Sequence, residues 1–340
     1  MRAVIMDAPR QITVGEREDP RIIEPTDAVI RLTATCICGS DLWPYRGVEP
    51  ADHTPMGHEY VGVVEEVGAS VTTVKPGDFV VGSFVISCGV CEICRSGYPS
   101  KCIHAEFVAG FGTQAEKARI PHADGTLVAT PGMPDDGLVP SLLAASDVLG
   151  TGWFAADAAQ VGPGKTVAVV GDGAVGLMGV LAAQQLGAER IIAMSRHADR
   201  QALAREYGAT DIVTERGAEG AARIKELTGG LGAHSVIEAV GTEESVLQAI
   251  HATRGGGHIG FVGVAHEGVQ LPLDQLFFAE VHLHGGPAPV RRYLPELIQK
   301  IWDREIDPGK VFDLTLPLDQ AAEGYAAMHE RRAIKVMLTL

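Results

Sequence analysis

The sequence predicts an α/β protein in two parts, a β-rich portion and a doubly wound parallel sheet. Three observations carry that prediction. The chain has 340 residues, more than one average domain. Its texture changes at about residue 155, from short strands separated by turns to a regular alternation of strands and helices. A glycine-rich turn, Gly171-Asp172-Gly173-Ala174-Val175-Gly176, directly follows an apolar strand and opens a helix, which is the setting in which such a turn binds a dinucleotide.

The β-rich part comes first. Met1 to Glu16 reads as a strand, a turn at Pro9 and a second strand. Apolar or alternating runs recur at AVIRLTAT (28–35), YVGVVEEVG (60–68) and DFVVGSFVIS (78–87), with turns such as Lys75-Pro76-Gly77-Asp78 between them. The second part repeats strand and helix: KTVAVVG, LMGVLAAQQLG, RIIAMS, ADRQALAREYG, DIVT, AARIKELTG, HSVIEAVG, ESVLQAI and GHIGFVG. Such alternation places helices on both faces of a parallel sheet. A tail from about residue 282 holds helical PELIQKIWDRE and PLDQAAEGYAAMHE and a closing strand, IKVMLTL.

Composition narrows the class. Hydrophobic residues make up 46% and the formal charge is −15. An acidic chain lacks the clustered Lys/Arg that a nucleic-acid partner requires. No segment approaches the roughly 18 consecutive apolar residues of a membrane span, and the start lacks the apolar core of a signal peptide. A cytoplasmic location without membrane contact is the expectation. Six cysteines are present, and Cys88, Cys91, Cys94 and Cys102 fall within fifteen residues. This clustering suggests metal rather than disulfides. Four thiolates can close a tetrahedral shell around zinc with no open position, which makes a structural site.

A second metal site is suggested by Cys38, in Cys38-Gly39-Ser40-Asp41, and His58, in Gly57-His58-Glu59. A catalytic zinc takes three protein ligands and keeps a position open. The third does not follow from local spacing. Asp147 is a carboxylate inside an apolar run and needs a partner if buried; a metal would serve, and capping the following helix is the alternative.

The second strand of the alternating part ends in Ser195-Arg196-His197. An acid there would accept hydrogen bonds from the adenosine ribose of NAD. None is present on that strand. Arg196, with Ser195 and Arg200, would bind a 2′-phosphate through charge-assisted hydrogen bonds, so NADP is expected over NAD; a merely solvated Arg196 is the alternative.

Taken together, ICGSDLW (37–43), MGHEYVGVVEEVG (56–68), CGVCEICRSGYPSKC (88–102), SDVLGTGW (146–153), VAVVGDGAVG (167–176) and AIKVMLTL (333–340) resemble the zinc-dependent medium-chain alcohol dehydrogenases along essentially the whole chain. The resemblance implies a GroES-like catalytic domain, 1–147 with 282–340, and a Rossmann domain, 148–281, with the active site in the cleft between them. It implies that Cys38, His58 and Asp147 ligate the catalytic zinc, with Glu59 able to enter the shell and Asp41 orienting His58. Many members carry cysteine where Asp147 stands; an aspartate is similar to the branch acting on secondary alcohols. Ser40 resembles the hydroxyl that passes on the substrate proton. Gly171, Gly173, Ala174, Val175 and Gly176 match the cofactor turn. Thr151 and Val175 match residues packing the nicotinamide, Lys335 a base reaching the pyrophosphate, and Val240 and Val264 complete the cofactor-binding set. Position 43, usually a histidine of the proton relay, is Trp43 here, so the proton of Ser40 would leave through the cofactor ribose, water or another base such as His53. Trp43, Phe84, Phe111 and Trp153 are either core or parts of an aromatic pocket.

The implied activity is a zinc-dependent hydride transfer between NADP(H) and an alcohol, aldehyde or ketone, in a homodimer or homotetramer holding two zinc ions per chain. The alternatives are an NAD-dependent polyol or amino-acid dehydrogenase, a catalytically silent redox sensor, and a quinone reductase. The intact Cys38, His58 and Asp147 argue against the sensor, and the cysteine lobe against the quinone reductase.

Overall fold

The computed structural model describes residues 1–107, 112–265 and 269–340. They divide into two compact units, Met1–Gly150 with Pro289–Leu340, and Thr151–Ala288.

In the first unit, strands Arg2–Ala8 and Gln11–Glu16 form the hairpin that the turn at Pro9 suggests, and Thr54–Pro55 pairs on the other side of Arg2–Ala8. A larger sheet has seven strands. Ala28–Ile37 lies at its centre, antiparallel to both Tyr60–Val67 and Lys335–Thr339. It is buried along most of its length, as expected of a strand covered on both faces. The closing strand therefore returns to the start of the chain, setting Met337 opposite Cys36 and Val336 opposite Ile37. Apolar clusters cover the two faces, one including Ile37, Leu42, Tyr325 and Val336, the other Ile30, Leu32, Tyr60 and Val80.

The second unit is a six-stranded parallel sheet. Its order in space is Asp211–Val213, Arg190–Met194, Thr166–Val170, Ala233–Glu238, Thr253–Phe261 and His282–Gly285. The order reverses between Thr166–Val170 and Ala233–Glu238, and ligands of open α/β sheets bind at such a reversal, outside the carboxyl ends of the strands. Helix Ala174–Gln185 starts there and buries eight residues, Gly176 to Ala183, against the sheet.

The bounds differ from those expected. His282–Gly285 falls beyond 281, yet pairs in parallel with Thr253–Phe261 and completes this sheet. Helix Val290–Trp302 starts one turn before the expected PELIQKIWDRE. Its added turn buries Val290, Tyr293 and Leu294, and that burial outweighs the preference of Pro295 for a helix start.

Candidate functional site

The cysteine lobe is a short loop of four-residue helix Glu92–Arg95 and a single 3-10 turn at Pro99–Lys101. Sγ–Sγ distances are 3.4 Å for Cys91–Cys94, 3.8 Å for Cys91–Cys102 and 3.4 Å for Cys88–Cys102. All four thiols are free. Sulfurs about 2.3 Å from a common zinc would lie about 3.8 Å apart, so the lobe fits a closed zinc site. Main-chain N–H groups already point at its sulfurs: Cys94 N–H at Cys91, and Cys88 and His104 N–H at Cys102. The N–H groups of Cys94 and Ile103 hold the Cys91 thiol down at about 6, favouring the thiolate that a metal takes.

The second cluster gathers Cys38, His58, Glu59 and Asp147, with one donor atom of each within 4.8 Å of the others. Cys38 directly follows the central strand, His58 and Glu59 precede its neighbour Tyr60–Val67, and Asp147 stands immediately before helix Val148–Ala158. Asp147 Oδ2 lies 3.4 Å from His58 Nε2 and 3.8 Å from Cys38 Sγ. Burial and the Glu59 carboxylate push the Cys38 thiol up. Burial opposes a charged His58, but Cys38, Asp41 and Asp147 outweigh it and raise the imidazole well above its ordinary range. A pocket that pulls a proton this firmly onto its imidazole is rich in electron pairs and suits a cation. Glu59 adds an observation of its own. Its Oε1 is paired, while Oε2 is buried with no hydrogen-bond partner, a costly state for a carboxylate oxygen. A thiol, an imidazole and two carboxylates are a donor set that zinc accepts.

The supporting groups come from distant parts of the chain. Asp41 Oδ1 lies 3.4 Å from His58 Nδ1, and Asp41 Oδ2 accepts the Cys38 N–H. Gln114 donates to Asp41 Oδ2 and to the Cys36 carbonyl, and Tyr325 donates to Gln114 Oε1 at 2.9 Å. Gln114 and Tyr325 are fully buried. Gly57 permits this approach, since a Cβ there would lie 2.5 Å from the Gln114 nitrogen. Sequence reasoning missed both Gln114 and Tyr325; neither belongs to a local pattern.

Lys335, expected at the cofactor pyrophosphate, is buried in the first unit. Its side chain is 1% exposed, and Nζ lies 2.7 Å from Glu59 Oε1 and donates to the Ile37 carbonyl. The register of the closing strand carries it into the first unit's interior, and its charge is already matched. Ser40 is partly exposed in the turn after Cys38, and its hydroxyl has no hydrogen-bond partner among the described residues. His53 holds its Nδ1 2.7 Å from Asp7 Oδ1 and is well exposed. Phe84 meets the His58 ring edge-on, Trp153 is core, Trp43 is partly buried, and Phe111 lies outside the described residues.

In the second unit, Gly173 starts helix Ala174–Gln185 with no side-chain cap, so the first N–H groups are left for a ligand. A Cβ on Gly173 would meet nothing within 4 Å, whereas one on Gly176 would lie 2.1 Å from the Gly171 carbonyl oxygen. The first leaves room for a phosphate to approach; the second lets helix and strand close up. Val175 is partly buried, Thr151 is buried on its helix, and Val240 and Val264 are exposed. Glu238, which ends its strand, accepts the N–H groups of Val240 and Gly241 at 2.9 Å each and so fixes that turn. Ser195 is buried, Arg196 exposed and Arg200 largely covered. Ser195 Oγ donates to Asp172 Oδ2, and Arg200 donates to the Asp172 carbonyl.

A parallel sheet with a glycine turn at its order reversal, a closed four-thiolate lobe and a mixed thiol–imidazole–carboxylate cluster define a zinc-binding, nucleotide-dependent oxidoreductase. Residues 174–303 match the family model of a zinc-binding dehydrogenase, and 24–132 that of an alcohol dehydrogenase GroES-like domain. A protein of Mycobacterium tuberculosis described as a probable zinc-binding alcohol dehydrogenase is 38% identical over 97% of this chain and 86% of its own length. Zinc-type alcohol dehydrogenase B of Aspergillus flavus is 36% identical over 99% of this chain and 81% of its own. Alcohol dehydrogenase TADH from Thermus sp. ATN1 superposes with a TM-score of 0.91 at 32% identity, covering 100% of this chain and 99% of that one. The chain belongs to the zinc-dependent medium-chain alcohol dehydrogenase family. No helix among the described residues is long and apolar enough to cross a membrane.

Proposed function

We propose that the chain moves a hydride between a small alcohol, aldehyde or ketone and NADP(H), with zinc at Cys38, His58 and Asp147. The observation that carries this reading is the convergence of those three groups with Glu59 around one point, beside an orphaned carboxylate oxygen. Bound there, zinc would supply Lewis acidity toward the substrate oxygen, and the nicotinamide would supply the redox chemistry.

The chain's own residues do the rest. Asp41, held by Gln114 and Tyr325, fixes the ring of His58, as a supporting shell fixes a metal ligand. Lys335 holds Glu59 by one oxygen and leaves the other without a hydrogen-bond partner. Ser40 takes the proton of an alcohol and returns it to a carbonyl; its hydroxyl is not committed elsewhere. Trp43 cannot accept that proton, so it leaves through water or a more distant base such as His53. The Cys88–Cys102 lobe is closed and gives stability rather than chemistry. The glycine turn and helix Ala174–Gln185 receive the pyrophosphate, and Glu238 shapes the Val240 turn against the cofactor. The NADP preference is supported by the exposed Arg196 and by the lack of an acid on strand Arg190–Met194. Self-association through the second unit is supported by exposed Leu271, Leu273, Phe277 and Phe278 and by the edge strand His282–Gly285.

The test is turnover on a panel of alcohols and carbonyls with NADP(H) and NAD(H), for the zinc-loaded chain and for Cys38→Ala and Asp147→Ala. Both variants are expected to lose turnover while still binding NADPH. Full turnover in either, with unchanged zinc content, refutes the ligand assignment.

A further inference from the structure

The strand Arg190–Met194 ends without an acid, yet a carboxylate stands at its end. It belongs to Asp172, between the first two glycines of the turn. Its Oδ2 accepts a hydrogen bond from Ser195 Oγ at 2.8 Å. Nη1 of Arg200 donates to the Asp172 carbonyl at 3.0 Å and lies 3.5 Å from Oδ1. Asp172 and Arg200 side chains are 12% and 13% exposed, and Ser195 is 3% exposed. Two of the three groups expected to hold a 2′-phosphate are therefore already engaged by an internal anion. Arg196 is exposed, and no carboxylate pairs with it among the described residues.

We propose that Asp172 is a specificity-determining residue that sets how strongly the chain discriminates between phosphorylated and unphosphorylated dinucleotides. The proposal rests on the reading that the Ser195–Arg200 segment receives the adenosine ribose. Asp172 acts on the two cofactors with opposite sign. Toward a free ribose it is a hydrogen-bond acceptor, the task that an acid on the second strand performs in this kind of fold. Toward a 2′-phosphate it is a like charge in a largely covered place, where repulsion is screened less than in water. It also keeps the Ser195 hydroxyl and the Arg200 guanidinium on itself. A phosphate must draw those groups away from Asp172 or rely on Arg196. The acid that the sequence lacks at the end of the second strand is thus supplied from the glycine turn, and it works against the preference that Arg196 confers.

The sign of each substitution follows. Asp172→Asn keeps the shape, an acceptor for Ser195 and the main-chain carbonyl that Arg200 bonds, and removes the negative charge beside that guanidinium. It is expected to lower the NADPH Kd about tenfold relative to the NADH Kd, and high salt is expected to shrink that gain. Arg200→Gln keeps the carboxylate and removes its cation, so it is expected to move the ratio the other way.

The experiment is fluorescence titration of NADPH and NADH onto the zinc-loaded full chain, for the wild type, Asp172→Asn, Arg200→Gln and Arg196→Gln, with thermal melting of each variant without cofactor. A shift of the NADPH-to-NADH ratio in opposite directions for the first two variants supports the proposal. Equal changes in both Kd values for Asp172→Asn, or a gain for NADH, overturn it. Should Asp172→Asn fail to fold, Arg200→Gln decides alone: an unchanged or improved NADPH ratio overturns the proposal. Arg196→Gln tests the underlying reading separately. If it leaves the ratio untouched, phosphate binding by Arg196 is refuted, while Asp172 is still judged by its own ratio.

Discussion

Replacing Lys335 by methionine removes one half of a buried ion pair and leaves the other half where it is. The ammonium and the Glu59 carboxylate are 1% and 0% exposed and 2.7 Å apart. Burial disfavours the charged lysine, but Cys36, Glu59 and Cys38 outweigh that and hold its proton well above the ordinary range. Without Lys335, Glu59 loses its ion-pair partner, and its Oε2 has no hydrogen-bond partner to begin with. Breaking a buried pair on one side costs about 3–5 kcal/mol. The methylene stem is replaced by one of similar volume, so little of that loss comes from packing. Removing both charges, in Lys335→Met with Glu59→Gln, should restore most of the stability, since a buried pair is worth little against uncharged groups of the same shape. The assay is urea unfolding of chelator-stripped wild type, both single variants and the double variant, read as a double-mutant cycle. A loss below about 1 kcal/mol for Lys335→Met, or a double variant no more stable than it, would refute the assignment of this pair.

Other consequences are open to simpler tests. Gln114→Leu and Tyr325→Phe break the chain that reaches His58 through Asp41, and each is expected to weaken zinc at the Cys38 site about 10–100-fold, measured by chelator competition, with the cysteine lobe unaffected. Gly173→Ala places a methyl in open space and is expected to change stability by no more than about 1 kcal/mol while weakening NADPH at least tenfold; Gly176→Ala, which drives a methyl into the Gly171 carbonyl, is expected to lose stability as well, by melting. Arg190 hydrogen-bonds Asp211 and holds its carboxyl down, from 3.8 to about 2. Because the folded value is lowered, the pair stabilises fully above 3.8, and its contribution is lost as pH falls toward 2. Arg190→Gln should therefore cost about 1 kcal/mol near neutral pH, after discounting for the partly exposed guanidinium, and the gap to wild type should close across that window in acid unfolding curves.

What the sequence disclosed is what short spacing encodes. The cysteines sit within fifteen residues, and a loop of that length can close on one ion without help from the rest of the fold. The glycine turn is likewise local, since strand, turn and helix adjoin. Cys38 and His58 were recognisable as ligand types, whereas Asp147 depended on resemblance because it lies 109 residues from Cys38. Gln114, Tyr325 and the Glu59–Lys335 pair were not legible. Their contacts span 73, 211 and 276 residues, and Lys335 lies on the closing strand whose register sets Met337 opposite Cys36. A side chain one position away on Lys335–Thr339 would face the other side of the sheet. Asp172 illustrates the same limit at shorter range. The strand itself carries no acid, and the acid at its end comes from a neighbouring loop. The strand His282–Gly285 was missed because it is short and half-exposed, with histidines at alternate positions in place of an apolar run.

The most direct test of the account is elemental analysis of the purified chain beside Cys38→Ala, with turnover and NADPH titration on the same samples. The account predicts about two zinc ions per chain in the wild type and about one in the variant, with turnover lost and NADPH still bound. Zinc content and turnover unchanged in Cys38→Ala would contradict it.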